Sequence, residues 1–185
     1  MEKVNIGDKP VGVSPAVIAG ALVNGKPNYL TVGNYGGICP RPRTVYVSLN
    51  KAHFTNAGIK ETGYFSVNWP SRELTQKTDY VGLVSGKDTD KSAVFSTFYG
   101  SVNKAPMINE CPVNILCKLI KMVDLPTQEV FIGEVVETYV NKEFVIDEKP
   151  DIKKINPLLL GGGSYWELGN KAGTSFSDGK ALIKK

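Results

Sequence analysis

Five residues between positions 48 and 55 carry groups that suit an anion: Ser48, Asn50, Lys51, His53 and Thr55, with His53 the only histidine of the chain. They lie in the stretch RTVYVSLNKAHFT. Strand alternation puts Val45, Val47 and Leu49 on one face and Tyr46, Ser48 and Asn50 on the other, so the apolar face meets a core and the polar face is left over. The chain then enters a helix at Thr55. A helix N-terminus presents unpaired amides and a partial positive charge. A phosphate there would take those amides, the hydroxyls of Ser48 and Thr55, and charge from His53 or Lys51. The same residues also fit a plainer arrangement, with Thr55 as an N-cap, Ser48 on a strand surface and His53 solvated. Spacing alone leaves both open.

The elements that must hold these residues are mostly strands. VIAGALV (Val17 to Val23) is followed by Asn24-Gly25, a strong hairpin turn between apolar runs. NYLTVGNY, a Gly36–Pro42 connection and RTVYVSLN then read as an antiparallel meander. A short helix from Thr55 ends at Gly63 in a left-handed cap. YFSVNW is a strand closed by Pro70, and SRELTQKTDYVGL a helix. SGKDTDKSAVF is a loop leading into a helical turn. Long strands follow near Val113–Val123 and Val130–Val140. NPLLLGGGSYWELG is a last strand broken by glycines. The fold class is therefore mainly β, a small β-barrel with short α-helices, because the regular helix–strand alternation of a doubly wound sheet is missing. Residues 1–169 form one domain. Residues 170–185 are a basic tail rich in Gly, Ser and Lys, expected to be mobile or to lie on a partner subunit.

Two further stretches are candidates. Ser85 to Lys91, SGKDTDK, is either a polar surface loop or a lysine-bearing flap over an anionic ligand. In GGGSYWELG, Tyr165 and Trp166 either pack in the core or flank a ring system.

Composition narrows the function. With 42% apolar and 22% charged residues in 185, the chain is an ordinary globular protein. Its net charge of +4 is spread along the sequence, densest in the terminal KALIKK, which does not suit a nucleic-acid partner. Cys39, Cys111 and Cys117 form no C-x-x-C pair and no zinc spacing; they read as reduced thiols of a cytoplasmic protein, the latter two in packing roles. No signal-peptide core and no membrane-spanning run is expected. One histidine, no nucleophile elbow and no clustered carboxylates exclude triad hydrolysis. A protein whose bound cofactor carries the chemistry needs only such binding residues.

Six segments in order then resemble a known family: Thr31-x-x-x-x-Gly36-x-x-Cys39 with its proline turn to Pro42, VYVSLNKAHFTNAGIKETGYFSVNWP, YVGLVSGKDTDK, APMINECPVNILCKL, VFIGEVVETYV and YWELG. From Val17 to Gly169 the chain resembles the flavin reductase-like family of FMN-binding split barrels, in its flavoredoxin branch. The resemblance implies a homodimer with FMN near the interface. It implies cofactor contacts from Thr31 and from Asn34, Tyr35, Gly36, Gly37 and Ile38 at the isoalloxazine ring. Ser48, Leu49 and Asn50 would run along the ribityl chain, with His53 and Thr55 at the phosphate and Ser85, Gly86 and Lys91 in the loop over the flavin; Lys51 comes from the anion reading above. Asn34 and His53 depart from the branch, which often has Trp and Arg there. Arg to His gives up a permanent bidentate phosphate partner.

The function this implies is an FMN-dependent oxidoreductase. Electrons from NAD(P)H or a redox protein partner would pass through the flavin, with backbone N–H groups around Gly36 to Ile38 facing its N1–O2 edge. The alternatives are a flavin bound loosely as a substrate and handed to a monooxygenase, an electron carrier without its own NAD(P)H turnover, and an OB-like barrel for single-stranded nucleic acid. The scattered charge argues against the last.

Overall fold

The computed structural model describes residues 1–9 and 11–183. Strand β1 (Val13–Pro15) leads into β2 (Val17–Val23) and β3 (Lys26–Val32), joined by a turn with Asn24 and Gly25 both at positive φ. This is the geometry that an Asn-Gly pair accepts at little cost. After β4 (Tyr35–Pro40) and β5 (Arg43–Asn50) come α1 (Thr55–Thr62), β6 (Tyr64–Trp69) and α2 (Thr75–Leu83). The short pair β7 (Thr97–Phe98) and β8 (Met107–Ile108) precedes the long hairpin of β9 (Val113–Asp124) and β10 (Gln128–Val140). The chain closes with β11 (Val145–Ile146), β12 (Lys149–Pro150), α3 (Ile152–Ile155), β13 (Leu159–Gly161) and β14 (Ser164–Trp166).

Seven strands form one antiparallel sheet in the order β3-β2-β6-β9-β10-β5-β4. Inward residues from both halves of that order share one cluster: Ala19, Leu30 and Val32 with Val45, Val47 and Leu49, over Phe65, Cys117 and Phe131. A flat sheet cannot bring its two edges into one core, so the sheet is curled into a barrel. The expected meander does not hold. β3 and β4 are not partners but the two edges of the sheet. A bend at Gly33-Asn34 carries the chain across the gap, held by Ser48 N–H donating to the Asn34 carbonyl at 2.9 Å. The barrel is split there, and among the described residues β4 keeps one edge without a strand partner.

Two other expectations change. The last strand is a hairpin, β13 with β14, turned by Gly162 and Gly163, both at positive φ, and β13 pairs on its other side with β1. No helical turn follows the Ser85–Lys91 loop; Phe95 is instead buried edge-on against Tyr29, ring centres 5.3 Å apart. Cys111 and Cys117 are buried, as packing roles require. The tail is exposed through residue 183 and carries one 3-10 turn, Asp178–Leu182, while Lys184 and Lys185 lie outside the described residues. No described helix is long and apolar enough to cross a membrane.

Helix α1 is fixed from two sides. Glu129 of β10, almost buried, accepts from Asn56 Nδ2 at 2.8 Å and Lys60 Nζ at 2.5 Å. On the other side Gly58 lies against β2, where a Cβ would come within 2.2 Å of the Leu22 carbonyl oxygen. Backbone cannot step aside as a side-chain tip can. Gly58→Ala is expected to cost about 3 kcal/mol, the upper range of overpacking, or roughly 6–12 °C in melting temperature, read by calorimetry. An unchanged melting temperature would mean that α1 is not seated on β2 in this way.

Candidate functional site

The β5–α1 junction is built by Asn50. Its side-chain Oδ1 accepts the Ala52 amide at 2.9 Å, and its carbonyl accepts the His53 amide at 3.0 Å and Asn56 Nδ2 at 3.1 Å. This compact turn delivers His53 and Phe54 to the first turn of α1. Thr55 is not the N-cap: Phe54 occupies that position in helical conformation with no side-chain cap, and Thr55 is the first helical residue, almost wholly buried. Its hydroxyl accepts from Asn28 Nδ2 at 2.7 Å, which ties α1 to β3. The Asn50 turn does the work of a cap but leaves the amides of Phe54 and Thr55 without a protein acceptor among the described residues.

Lys91 stands beside this turn. It is 3% exposed, and its ammonium donates to the carbonyls of Val81 at 2.8 Å and Tyr29 at 3.0 Å. Val81 lies in the last turn of α2, where unpaired carbonyls carry the helix's partial negative charge. No carboxylate pairs with Lys91 among the described residues. Two of its three N–H groups are spent, and the third is left for a ligand. Burial pushes the ammonium down to about 8. His53 is held below its ordinary value by burial and then by the Lys91 charge. A buried ammonium without a carboxylate partner among the described residues, beside a histidine whose proton it disfavours and two unpaired amides, describes a place that suits an anion.

The loop after α2 closes onto the same place. A Cβ on Gly86 would lie 2.2 Å from Asn28 Oδ1 and 2.8 Å from Phe54 Cδ1, so the loop backbone rests directly on both. Ser85 shapes the turn, its carbonyl accepting the amides of Asp88 and Thr89 and its Oγ the amide of Lys87 at 3.2 Å. His53, Phe54, Gly86 and Lys91 thus come from two segments to one region, with Thr55 and Ser85 next to them in the chain, whereas Ser48 sits on β5 with its amide on the Asn34 carbonyl. Lys51 is drawn away from it, to Asp124 at 2.5 Å, so His53 and Lys91 are left to supply the positive charge. Leu49 has its side chain in the barrel core and offers only backbone outward. Thr31 donates its hydroxyl to the Thr78 carbonyl, clamping α2 to β3.

Beyond Ser48 the surface continues onto the free edge of β4. Asn34 and Gly37 are exposed, and Ile38 is the extra residue of a bulge between Gly37 and Cys39. A bulge in an edge strand re-aims backbone groups and commonly adjoins a site. At Gly36 a Cβ would press on the Tyr46 ring at 2.8 Å, so that stretch of edge stays bare backbone. Neither Tyr165 nor Trp166 is in the core. Tyr165 donates to Asp79 at 3.1 Å and Trp166 is 56% exposed.

Two residues of the site went unread in the sequence. Asn28 had a signal: it shares a strand face with Leu30 and Val32, and a polar side chain there must have a partner. Phe54 had none: its unpaired amide, and its ring under the Gly86 backbone, follow from the turn that places it.

A family model described as a flavin reductase like domain matches residues 13–169. The chain belongs to the flavin reductase-like family, whose split barrel is the fold described above. Within the family it falls in the flavoredoxin branch. It is 41% identical to the flavoredoxin of Methanosarcina acetivorans, with a TM-score of 0.95 and coverage of 99% of this chain and 100% of that one. The flavoredoxin of Desulfovibrio vulgaris (Miyazaki F) is 31% identical, with a TM-score of 0.89 and coverage of 96% and 100%. A ferric-chelate reductase (NAD(P)H) of Archaeoglobus fulgidus is 29% identical over 109 residues, 56% of this chain and 62% of that protein's length. The chain is accordingly a flavin-linked oxidoreductase or electron carrier.

The depressed Lys91 ammonium fixes a sign. Between about pH 8 and its ordinary value of 10.5 the unfolded chain holds this proton and the folded chain does not, so folding is favoured as pH rises through that window. The buried thiols of Cys111 and Cys117, both pushed up by burial, act in the opposite sense at high pH. The difference isolates Lys91: without added ligand, the stability of the protein minus that of Lys91→Met should increase from pH 8 to 10.5 in urea titrations. A flat difference would place the ammonium in solvent.

Proposed function

We propose that the chain binds FMN with its phosphate in the pocket between α1 and the Ser85–Lys91 loop, and that it passes electrons through the flavin to an acceptor. The observation that carries this reading is the buried, carboxylate-free Lys91 beside His53 and the unpaired amides of Phe54 and Thr55. A phosphate dianion would supply the charge these groups lack, and charge-assisted bonds to it are the strong kind. The donor set fits FMN better than riboflavin, which has no group to place there.

When bound, FMN supplies the redox chemistry, accepting hydride or single electrons and handing them on. The chain's own residues bind and orient. Lys91 and His53 neutralise the phosphate, and Ser48 and Asn50 border the polyol chain. Amides on the free edge of β4 near Gly36 to Ile38 donate towards the ring edge where reduction builds negative charge. No side chain has to act as an acid or base. The nicotinamide named for the ferric-chelate reductase supports NAD(P)H as donor, while the flavoredoxin relatives support a protein donor and a carrier role. Exposed Ile38, Ile120, Met122 and Val136 offer apolar surface for the second subunit of a homodimer.

The first test is the visible spectrum of the purified protein, taken before and after anaerobic addition of NADH or NADPH. Flavin bands that bleach favour direct hydride transfer, and bands that persist favour a carrier. A protein that neither carries nor binds FMN contradicts the proposal. His53→Ala and Lys91→Met should each weaken FMN binding about ten- to a hundredfold, the worth of one charge-assisted bond. Riboflavin binding should be unchanged. Equal losses for FMN and riboflavin would remove the phosphate from this pocket.

A further inference from the structure

Glu129 stands on the inward face of its strand. Along β10 the buried residues alternate as Glu129, Phe131 and Gly133, so the carboxylate shares a face with a core phenylalanine. Across the sheet it is paired with Leu49, another core residue, and it is only 8% exposed. A carboxylate in such a place needs partners. It has two: Lys60 Nζ on one oxygen at 2.5 Å and Asn56 Nδ2 on the other at 2.8 Å. Lys60 alone answers the charge. The bond to Asn56 does something else.

Asn56 is 3% exposed, and its Nδ2 has two hydrogens and two acceptors, Glu129 and the Asn50 carbonyl at 3.1 Å. Its Oδ1 is buried and finds no donor among the described residues. Turned over, the carboxamide would aim that oxygen at a carboxylate and a carbonyl, which is worse than leaving it unpaired. Glu129 thus decides which way Asn56 faces. Facing this way, Asn56 grips the Asn50 carbonyl, which also accepts the His53 amide at 3.0 Å. That second bond uses up the His53 amide, so the amides of Phe54 and Thr55 come next in line and stay free for a ligand.

We propose that Glu129 is a positioning residue for the anion pocket: it fixes the Asn56 carboxamide, and through it the Asn50 turn that aims the Phe54 and Thr55 amides. Glu129 itself touches no ligand. The proposal rests on the phosphate reading of that pocket.

The test titrates FMN and riboflavin into 15N-labelled protein and follows the Phe54 and Thr55 amides. Glu129→Gln keeps the shape of the side chain, but its new NH2 can donate to Asn56 Oδ1, which frees the carboxamide to turn over. FMN binding should weaken about tenfold, the worth of one hydrogen bond, and riboflavin binding should be unchanged. In the ligand-free variant the His53 amide should exchange with deuterium about tenfold faster. The Gly63 amide, bonded to the Ile59 carbonyl at the far end of α1, should keep its rate. Lys60→Met is the control for stability: it removes the charge partner of Glu129 but leaves Asn56 in place, so it should lower the melting temperature without weakening FMN binding. Equal losses of FMN binding in Lys60→Met and Glu129→Gln would reduce Glu129 to a structural role and overturn the proposal. So would an unchanged His53 exchange rate in Glu129→Gln. FMN that binds the unaltered protein without moving the Phe54 and Thr55 amides would overturn the phosphate reading, and this proposal with it.

Discussion

A buried ammonium with no carboxylate is the constraint around which the rest is arranged. Lys91 is held by the carbonyls of Val81 and Tyr29, at the negative end of α2, and by nothing of full negative charge among the described residues. Carbonyl dipoles partly replace water, which is why the lysine can be inside at all, but the charge remains costly and its affinity for protons falls. His53 next to it is held below its ordinary value by burial and then by the Lys91 charge. A fold evolved for stability alone would pair or remove such charges. Here the ammonium stands beside the unpaired amides of α1, and the phosphate proposed above would be the missing counter-charge.

The barrel explains how these groups come together. Lys91 and Gly86 follow α2, His53 precedes α1, and Asn28 lies on β3, far apart in sequence. The curl of the sheet brings β3 next to β5, the Asn28–Thr55 bond joins β3 to α1, and Glu129 holds α1 from the opposite side. The split between β3 and β4 has its own use. It leaves β4 as an edge, with a bulge at Ile38 and bare backbone at Gly36, which is the surface a flat heteroaromatic ring can approach. One irregularity in the sheet therefore separates a charged pocket for an anionic tail from a backbone edge for a ring.

Much of this was legible in the sequence, and unevenly so. The Asn24-Gly25 hairpin, the alternation of β5 and the Gly63 cap follow from local rules, and each stands where those rules put it. The meander failed because antiparallel neighbours in sequence need not be neighbours in a curled sheet; what decides is which edge can share the core. Gly162-Gly163 read as a break in one strand because two three-residue strands leave too little alternation to tell apart. Thr55 begins α1 as expected, but the plainer alternative of a capping hydroxyl fails, since its partner is Asn28, a residue 27 positions away. The burial of Lys91 was not legible, because SGKDTDK reads equally as a surface loop or a flap over an anion and nothing in it marks which of its two lysines is buried.

The most direct test is a crystal structure of the protein with FMN. The account predicts the phosphate within hydrogen-bonding distance of Lys91 Nζ and of the Phe54 and Thr55 amides, with the isoalloxazine ring along the free edge of β4. A flavin bound elsewhere, or bound with its phosphate in solvent and Lys91 still holding only the two carbonyls, would contradict it.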